Sequence, residues 1–373
     1  MSKMIKKSLH EILHEPISGS RPKGGVSLEG DIPSLGGENI TMSGEISFYP
    51  VKKITTEFFE SMKRGHLRNL DVLINKDGAN TGKSSIYRNS PYPKATINEH
   101  LFILRGIEDK LDQEYLHYLI QSSSVKKILE TKITGSAQPG LNSTFVQNFP
   151  VEITSLPEQK KIASILNSVD DVIEKTQSQI NKSQDLKKGT MNELLTKGVG
   201  HTEFKDSELG RIPKNWDVFC IDDIAFVTKL AGFEYSEYFD YSIGGDIITI
   251  RALNLKNGKL DLKEVQTISK SVSDKLPRSK LKKGDLVISY VGTVGEVALI
   301  EKSEKFHLAP NVAKITPNQE KVLSEFLLHN LISDKTKKLI MLLGTITSQP
   351  SINMGNIRKI LISLPPIKEQ RKI

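Results

Sequence analysis

A lysine bounded by glycines is the feature of this chain whose spacing comes nearest to known chemistry. Gly78-Ala79-Asn80-Thr81-Gly82-Lys83-Ser84 follows an apolar run, as a phosphate-cradling loop does. Asp77 stands where that pattern needs its first glycine, and the residues beyond, Ser84 to Pro91, do not read as a helix. The helix N-terminus that would hold a phosphate is therefore missing. A tight hairpin or bulge accounts for the glycines better. The 8 histidines show no metal-ligand spacing, and Cys220 is alone, which excludes a disulfide within the chain and a cysteine zinc cluster. No Ser/His/Asp or Cys/His set and no pair of nuclease-like carboxylates is identifiable. A binding role is left.

The cations and amides indicate what is bound. Lys275, Arg278, Lys280, Lys282 and Lys283 lie in a stretch without acids, just before an apolar run that starts at Asp285. Lys63, Arg64, His66 and Arg68 stand in the same place before Asp71. Such residues suit phosphate contacts, which position a duplex without reading it. Reading bases needs amides, guanidiniums and hydroxyls on rigid turns. Candidates are Asn39, Asn80, Lys83, Arg88 and Gln138 in the first half, and Arg251, Asn254, Tyr290, Asn311 and Gln349 in the second. Asn89-Ser90-Pro91-Tyr92 is one serine away from the Asn-Pro-Pro-Tyr of amino-methyltransferases, but no glycine-rich cofactor loop accompanies it, and it reads as a turn.

These residues are positioned by a duplicated frame with a period of roughly 211–215 residues. Asp71-Val72-Leu73-Ile74 and the Gly78–Lys83 turn match Asp285-Leu286-Val287-Ile288 and Gly292-Thr293-Val294-Gly295-Glu296. Glu296 replaces Lys83, which counts against an NTPase. Gly135-Ser136-Ala137-Gln138-Pro139 matches Gly344 to Pro350, and each copy exits through an apolar stretch and proline, at Leu156-Pro157-Glu158-Gln159 and Leu364-Pro365-Pro366-Ile367-Lys368-Glu369-Gln370. Runs at 71–74, 247–250 and 286–290 read as strands, while 114–130 and 321–343 carry helical spacing. Strands and helices do not alternate as in a parallel sheet, so the fold expected is α+β. Between the copies, Ile162, Leu166, Val169, Ile173, Ile180 and Leu194 form a heptad-like stripe that Lys187 interrupts. A long helix packing on a partner helix is expected, about 60 Å for forty residues, ended by Gly198 and Gly200.

The chain has 373 residues, 37% hydrophobic and 26% charged, with a net charge of +8, which fits a globular protein and permits a polyanionic partner. No apolar run is long enough to span a membrane, no secretory signal is evident, and the lone cysteine fits the cytoplasm.

The exits Ser155-Leu156-Pro157-Glu158-Gln159-Lys160-Lys161-Ile162 and Leu364 to Ile373, together with Leu194-Leu195-Thr196-Lys197-Gly198, Phe204-Lys205-Asp206-Ser207 and Gly210-Arg211-Ile212-Pro213-Lys214-Asn215-Trp216, resemble the specificity subunits of type I restriction–modification enzymes over essentially the whole chain. The first copy lacks the Gly-x-Ile-Pro-x-x-Trp lead-in, and the chain stops before a second helix can form. The resemblance implies two homologous mixed α/β target-recognition domains, 1–156 and 200–364, separated by a coiled-coil-type spacer helix at 157–199, with a second spacer starting at 365–373. It further implies a non-catalytic chain whose domains each read half of a bipartite, asymmetric DNA site. Methyltransferase subunits would supply S-adenosylmethionine and adenine methylation, and a restriction subunit would supply ATP- and Mg-dependent translocation. The recognition module of another restriction–modification type, a coiled-coil assembly protein and a P-loop NTPase are the alternatives.

Overall fold

The computed structural model describes residues 4–26, 28–41, 43–135, 139–241, 244–302, 305–345 and 349–373. They form two compact units, Met1–Gln177 (unit 1) and Ser178–Ile373 (unit 2).

In unit 1 an antiparallel pair, Ile5–Ser8 with Pro150–Ile153, joins the two ends of the domain. A four-stranded antiparallel sheet follows the order Ile17–Ser18, Leu101–Leu104, Val72–Asn75, Ser84–Ile86. A three-stranded sheet places Ile32–Leu35 between Lys53–Ile54 and, in parallel, Thr96–Ile97. Side chains alternate along the central strands, so Val72, Ile74, Phe102 and Leu104 join one core while Leu73, Leu101 and Ile103 join another. Burial on both faces explains why these strands read as unbroken apolar runs.

Unit 2 repeats this topology. Asp217–Cys220 pairs with Leu361–Leu364, and the four-stranded sheet runs Ala225–Lys229, Val312–Pro317, Leu286–Ser289, Val297–Leu299. Ile247–Ile250 lies between Gln266–Ile268 and, in parallel, Phe306–Leu308, which also pairs with Lys280–Leu281. The last pairing appears in unit 1 as a single bridge between His66 and Thr96.

Each region that carries helical spacing holds two helices. Gln113–Gln121 and Ser123–Lys132 meet at Ser122, and Ser324–Ile332 and Asp334–Leu343 meet at Ser333. Both serines are extended, donate a hydroxyl bond to the helix behind and accept from the N–H of Val125 or Thr336 ahead. One side chain thus ends one helix and caps the next.

A single helix of 42 residues, Leu156–Lys197, crosses the division between the units, where the sequence had suggested a segment separate from both. Gly198 ends it at φ +65, and a Cβ there would lie 2.5 Å from Glu369 and 2.8 Å from the Trp216 ring. Trp216 is fully buried and donates its indole N–H to Glu369, which also pairs with His201 at 2.6 Å. The helix is anchored by Ala163 and Leu195, which enter the cores, rather than by Leu166 and Leu194 beside them. Ile162 is half-buried against the unit 1 core. Val169, Ile173 and Ile180 are exposed, and residues 171–190 are exposed throughout, so the expected seam is not covered by any of the described residues.

The exits share one device. Buried Gln159 accepts from Asp112 N–H (2.9 Å) and donates to the carbonyls of Lys110 (3.2 Å) and Thr154 (2.8 Å). Gln370 accepts from Leu323 N–H (2.9 Å) and donates to Lys321 (2.9 Å) and Pro365 (2.8 Å). Each glutamine fastens the start of an exit helix to the N-cap of the helix pair.

Candidate nucleic-acid interface

The glycine turn is a hairpin connection in both units, leading into a strand and not into a helix. Gly78 and Gly82 take φ +79 and +88, and Gly292 and Gly295 take +81 and +86, a region costly for other residues. The turn is tied to two neighbouring segments by the same backbone bonds in each unit. Gly78 N–H donates to Pro139 (2.9 Å), Lys76 to His100 (2.9 Å) and Leu141 to Lys76 (2.6 Å). Gly292 donates to Pro350 (2.9 Å), Tyr290 to Asn311 (3.0 Å) and Ile352 to Tyr290 (2.9 Å). One rigid edge made of three loops is thereby built twice.

The side chains on that edge differ between the copies: Lys76 against Tyr290, Asp77 against Val291, Lys83 against Glu296, His100 against Asn311. His100 pairs with Asp77 at 2.6 Å, and the Lys229 ammonium lies 5.2 Å from the Tyr290 ring. Asn80 and Lys83 are half-exposed on the turn, Tyr290 is half-buried behind it, and Asn311 and Gln349 are exposed. Gln138 lies outside the described residues. Asp77, His100 and Lys229 were missed from sequence, although aligning the two copies residue by residue points to the first two.

Four of the residues expected to read bases have other work. Asn39 is buried, accepts from Gly36 N–H (3.0 Å) and donates to Ser47 (2.9 Å) and Pro50 (3.3 Å). Asn254 does the same with Arg251, Asp261 and Glu264. Both amides serve their own turns. Arg251 is half-buried and donates to the Glu264 carbonyl at 3.3 Å. Arg88 donates to Asn167 on the long helix at 3.1 Å.

The basic stretch of unit 2 is partly neutralised by acids outside it. Arg278 pairs with Glu234 at 2.8 Å and Lys280 with Asp274 at 2.5 Å, while Lys275 lies over the Tyr238 ring at 5.2 Å. Lys282 and Lys283 are exposed, as are Lys63, Arg64 and Arg68 in unit 1. The loop bearing Arg68 is held by Asp71, which is 3% exposed; it accepts from Arg68 N–H (2.8 Å) and takes two bonds from Arg105 (2.7 Å each). Asp285 holds the matching loop by accepting from Lys282 N–H (2.8 Å) and the Thr316 hydroxyl (2.6 Å).

Arg88 belongs to a network that docks the helix on unit 1. The Tyr118 hydroxyl donates to Asp170 (2.7 Å), and Asn167 donates to Glu114 (2.7 Å). Beside it, burial and then the Arg88 charge push the imidazole of His117 down to about 4. A neutral His117 therefore contributes stability that is complete above its ordinary value near 6.5 and is lost as pH falls toward 4. His117→Leu is expected to flatten the pH dependence of unit 1 melting across that window, read by circular dichroism. An unchanged profile would remove His117 from the acid sensitivity.

Among the described residues no helix is long and apolar enough to cross a membrane. The model of the type I restriction modification DNA specificity domain matches twice, at residues 8–183 and 213–373. The MjaVIII specificity subunit of Methanocaldococcus jannaschii is 28% identical over 307 residues, 81% of this chain and 70% of that protein. The EcoBI specificity subunit of Escherichia coli is 21% identical over 315 residues, 81% of this chain and 65% of that one. The S subunit of a type I system from M. genitalium shares the fold, with a TM-score of 0.59 at 12% identity over 100% of this chain and 87% of that one. A structure described for complex assembly and conformational transition of the type I R-M system gives 0.57 at 15% identity over 99% and 87%. With both units covered by one family model and their shared frame traced bond by bond, the chain belongs to the type I restriction–modification DNA specificity family.

Proposed function

We propose that this chain is the sequence-reading subunit of a type I restriction–modification complex. Each unit reads one half of a bipartite, asymmetric DNA target. The observation that carries this is a backbone edge kept identical in two copies while the side chains on it diverge. Buried groups that shape the frame, Asp71 and Asp285, Asn39 and Asn254, Gln159 and Gln370, are the same in both. Divergence at the presented positions over a shared frame is what two different half-sites require, because base contacts specify while phosphate contacts only position.

The spacer helix then sets the length of unread sequence, and its exposed Val169, Ile173 and Ile180 suit a second helix in a coiled-coil seam. The chain makes and breaks no covalent bond itself and works in the cytoplasm. Partner methyltransferase subunits carry S-adenosylmethionine and methylate adenine; a restriction subunit brings ATP- and Mg-dependent cleavage. The phosphate-loop reading has lost its basis, since a strand follows Lys83. Mapping N6-methyladenine across the host genome with and without this gene tests the proposal. The expected result is loss of one bipartite methylated motif; an unchanged methylome overturns it.

A further inference from the structure

A cleft of about 230 Å³ in unit 1 opens between the glycine turn, residues Thr41, Ser43 and Gly44, and helix Ser123–Lys132. Lys83 and Lys126 line it, with the hydroxyls of Thr41 and Ser43, the Gln121 amide and one carboxylate, Glu130. Neither lysine makes an ion pair among the described residues. Glycines keep the cleft open: a Cβ at Gly44 would lie 2.8 Å from the Gln121 amide nitrogen, and one at Gly82 would lie 3.3 Å from Leu129. In unit 2 a cleft beside the matching glycine turn is lined by Asp261, Glu264 and Glu296 with Lys256 and Lys263, and its lining includes no residue of the helix pair. There Glu296, in the place of Lys83, pairs with Lys337 (3.4 Å), in the place of Lys126, and Lys256 pairs with Asp261 (2.7 Å). The same backbone thus carries a closed ion pair in one unit and two unneutralised ammonium groups in the other.

We propose that the unit 1 cleft is a phosphate-oxyanion site with no counterpart in unit 2. Two ammonium groups and an amide N–H₂ around a solvent-open hollow match the charge and the acceptor oxygens of a phosphate, while the Thr41 and Ser43 hydroxyls bond to each other and to Glu45 at the rim. On the reading of function above, on which this assignment of source rests, the phosphate is a backbone phosphodiester of the bound duplex. It would add to unit 1 a grip that unit 2 lacks. The same chemistry would accept a free phosphate ion, and the test separates the two.

Lys83→Glu imitates Glu296 and closes the cleft with an ion pair to Lys126; unit 2 demonstrates that this backbone accepts a glutamate. Lys83→Arg keeps the charge. The full-length chain is measured against a mixed-sequence duplex across a salt series, and against inorganic phosphate by calorimetric titration. Lys83→Glu is expected to weaken duplex binding about tenfold at low salt and to reduce the salt slope by about one, at roughly 0.9 for each phosphate no longer neutralised. Lys83→Arg is expected to keep both values. If the slope is unchanged while Lys83→Glu abolishes saturable phosphate binding, the site stands and its ligand is the free ion. An unaltered slope together with no saturable phosphate binding overturns the site. If the unaltered chain binds no duplex at all, the DNA-reading function fails, and the phosphate titration still decides the cleft.

Discussion

Asp71→Ala is expected to cost unit 1 about 3–5 kcal/mol, because it leaves the Arg105 guanidinium inside the domain without its carboxylate. The Arg105 side chain is only 19% exposed and cannot swing fully into water. Its remaining bond, to the His66 carbonyl at 3.0 Å, does not replace a charge. At a few degrees per kcal/mol for a domain of this size, the melting temperature should fall by roughly 10 °C. Asp285→Ala should cost less, about 1–3 kcal/mol, since its side-chain partner is the neutral hydroxyl of Thr316. Combining Asp71→Ala with Arg105→Met removes both charges and should recover most of the loss. A double variant as unstable as the single one would sink the ion-pair account. The same substitution releases the loop that presents Arg68, so weaker and less salt-sensitive DNA binding should accompany the lower stability.

Gln159→Ala is expected to destabilise unit 1 by about 3 kcal/mol, because the Asp112 N–H and two carbonyls lose their partner in a site closed to water. Gln370→Ala should do the same to unit 2, where three bonds of like geometry are broken. Chemical denaturation with a tryptophan probe distinguishes the two, since Trp216 reports on unit 2 only. Gln159→Glu is the informative control: it keeps the size and the acceptor but loses both N–H donors, and it should be nearly as damaging. Wild-type stability in that variant would show that the side chain matters only by its bulk.

Much of this architecture is readable in the amino-acid order alone. The duplication follows from Asp71 and Asp285, the glycine pairs and the Glu-Gln of the two exits, each of which proves to be a fixed point of the frame. What escapes is the direction in which polar side chains face. An asparagine that satisfies its own turn, as Asn39 and Asn254 do, is indistinguishable in sequence from one offered to a base. Arg278 looks free because its acid, Glu234, lies 44 residues earlier. The heptad positions point to Leu166 and Leu194 as helix anchors, whereas the neighbouring Ala163 and Leu195 are the apolar residues buried. The serine breaks at Ser122 and Ser333 are hidden because helical spacing continues on either side of them.

Among the described residues, the cluster built around Leu9, Val72 and Phe145 draws its members from unit 1, and that built around Ile221, Leu286 and Phe326 draws its members from unit 2. A lesion that melts one half need not melt its twin, and a drifting sequence can alter what one half prefers while the other goes on binding as before. Evolution can therefore edit this protein one half at a time.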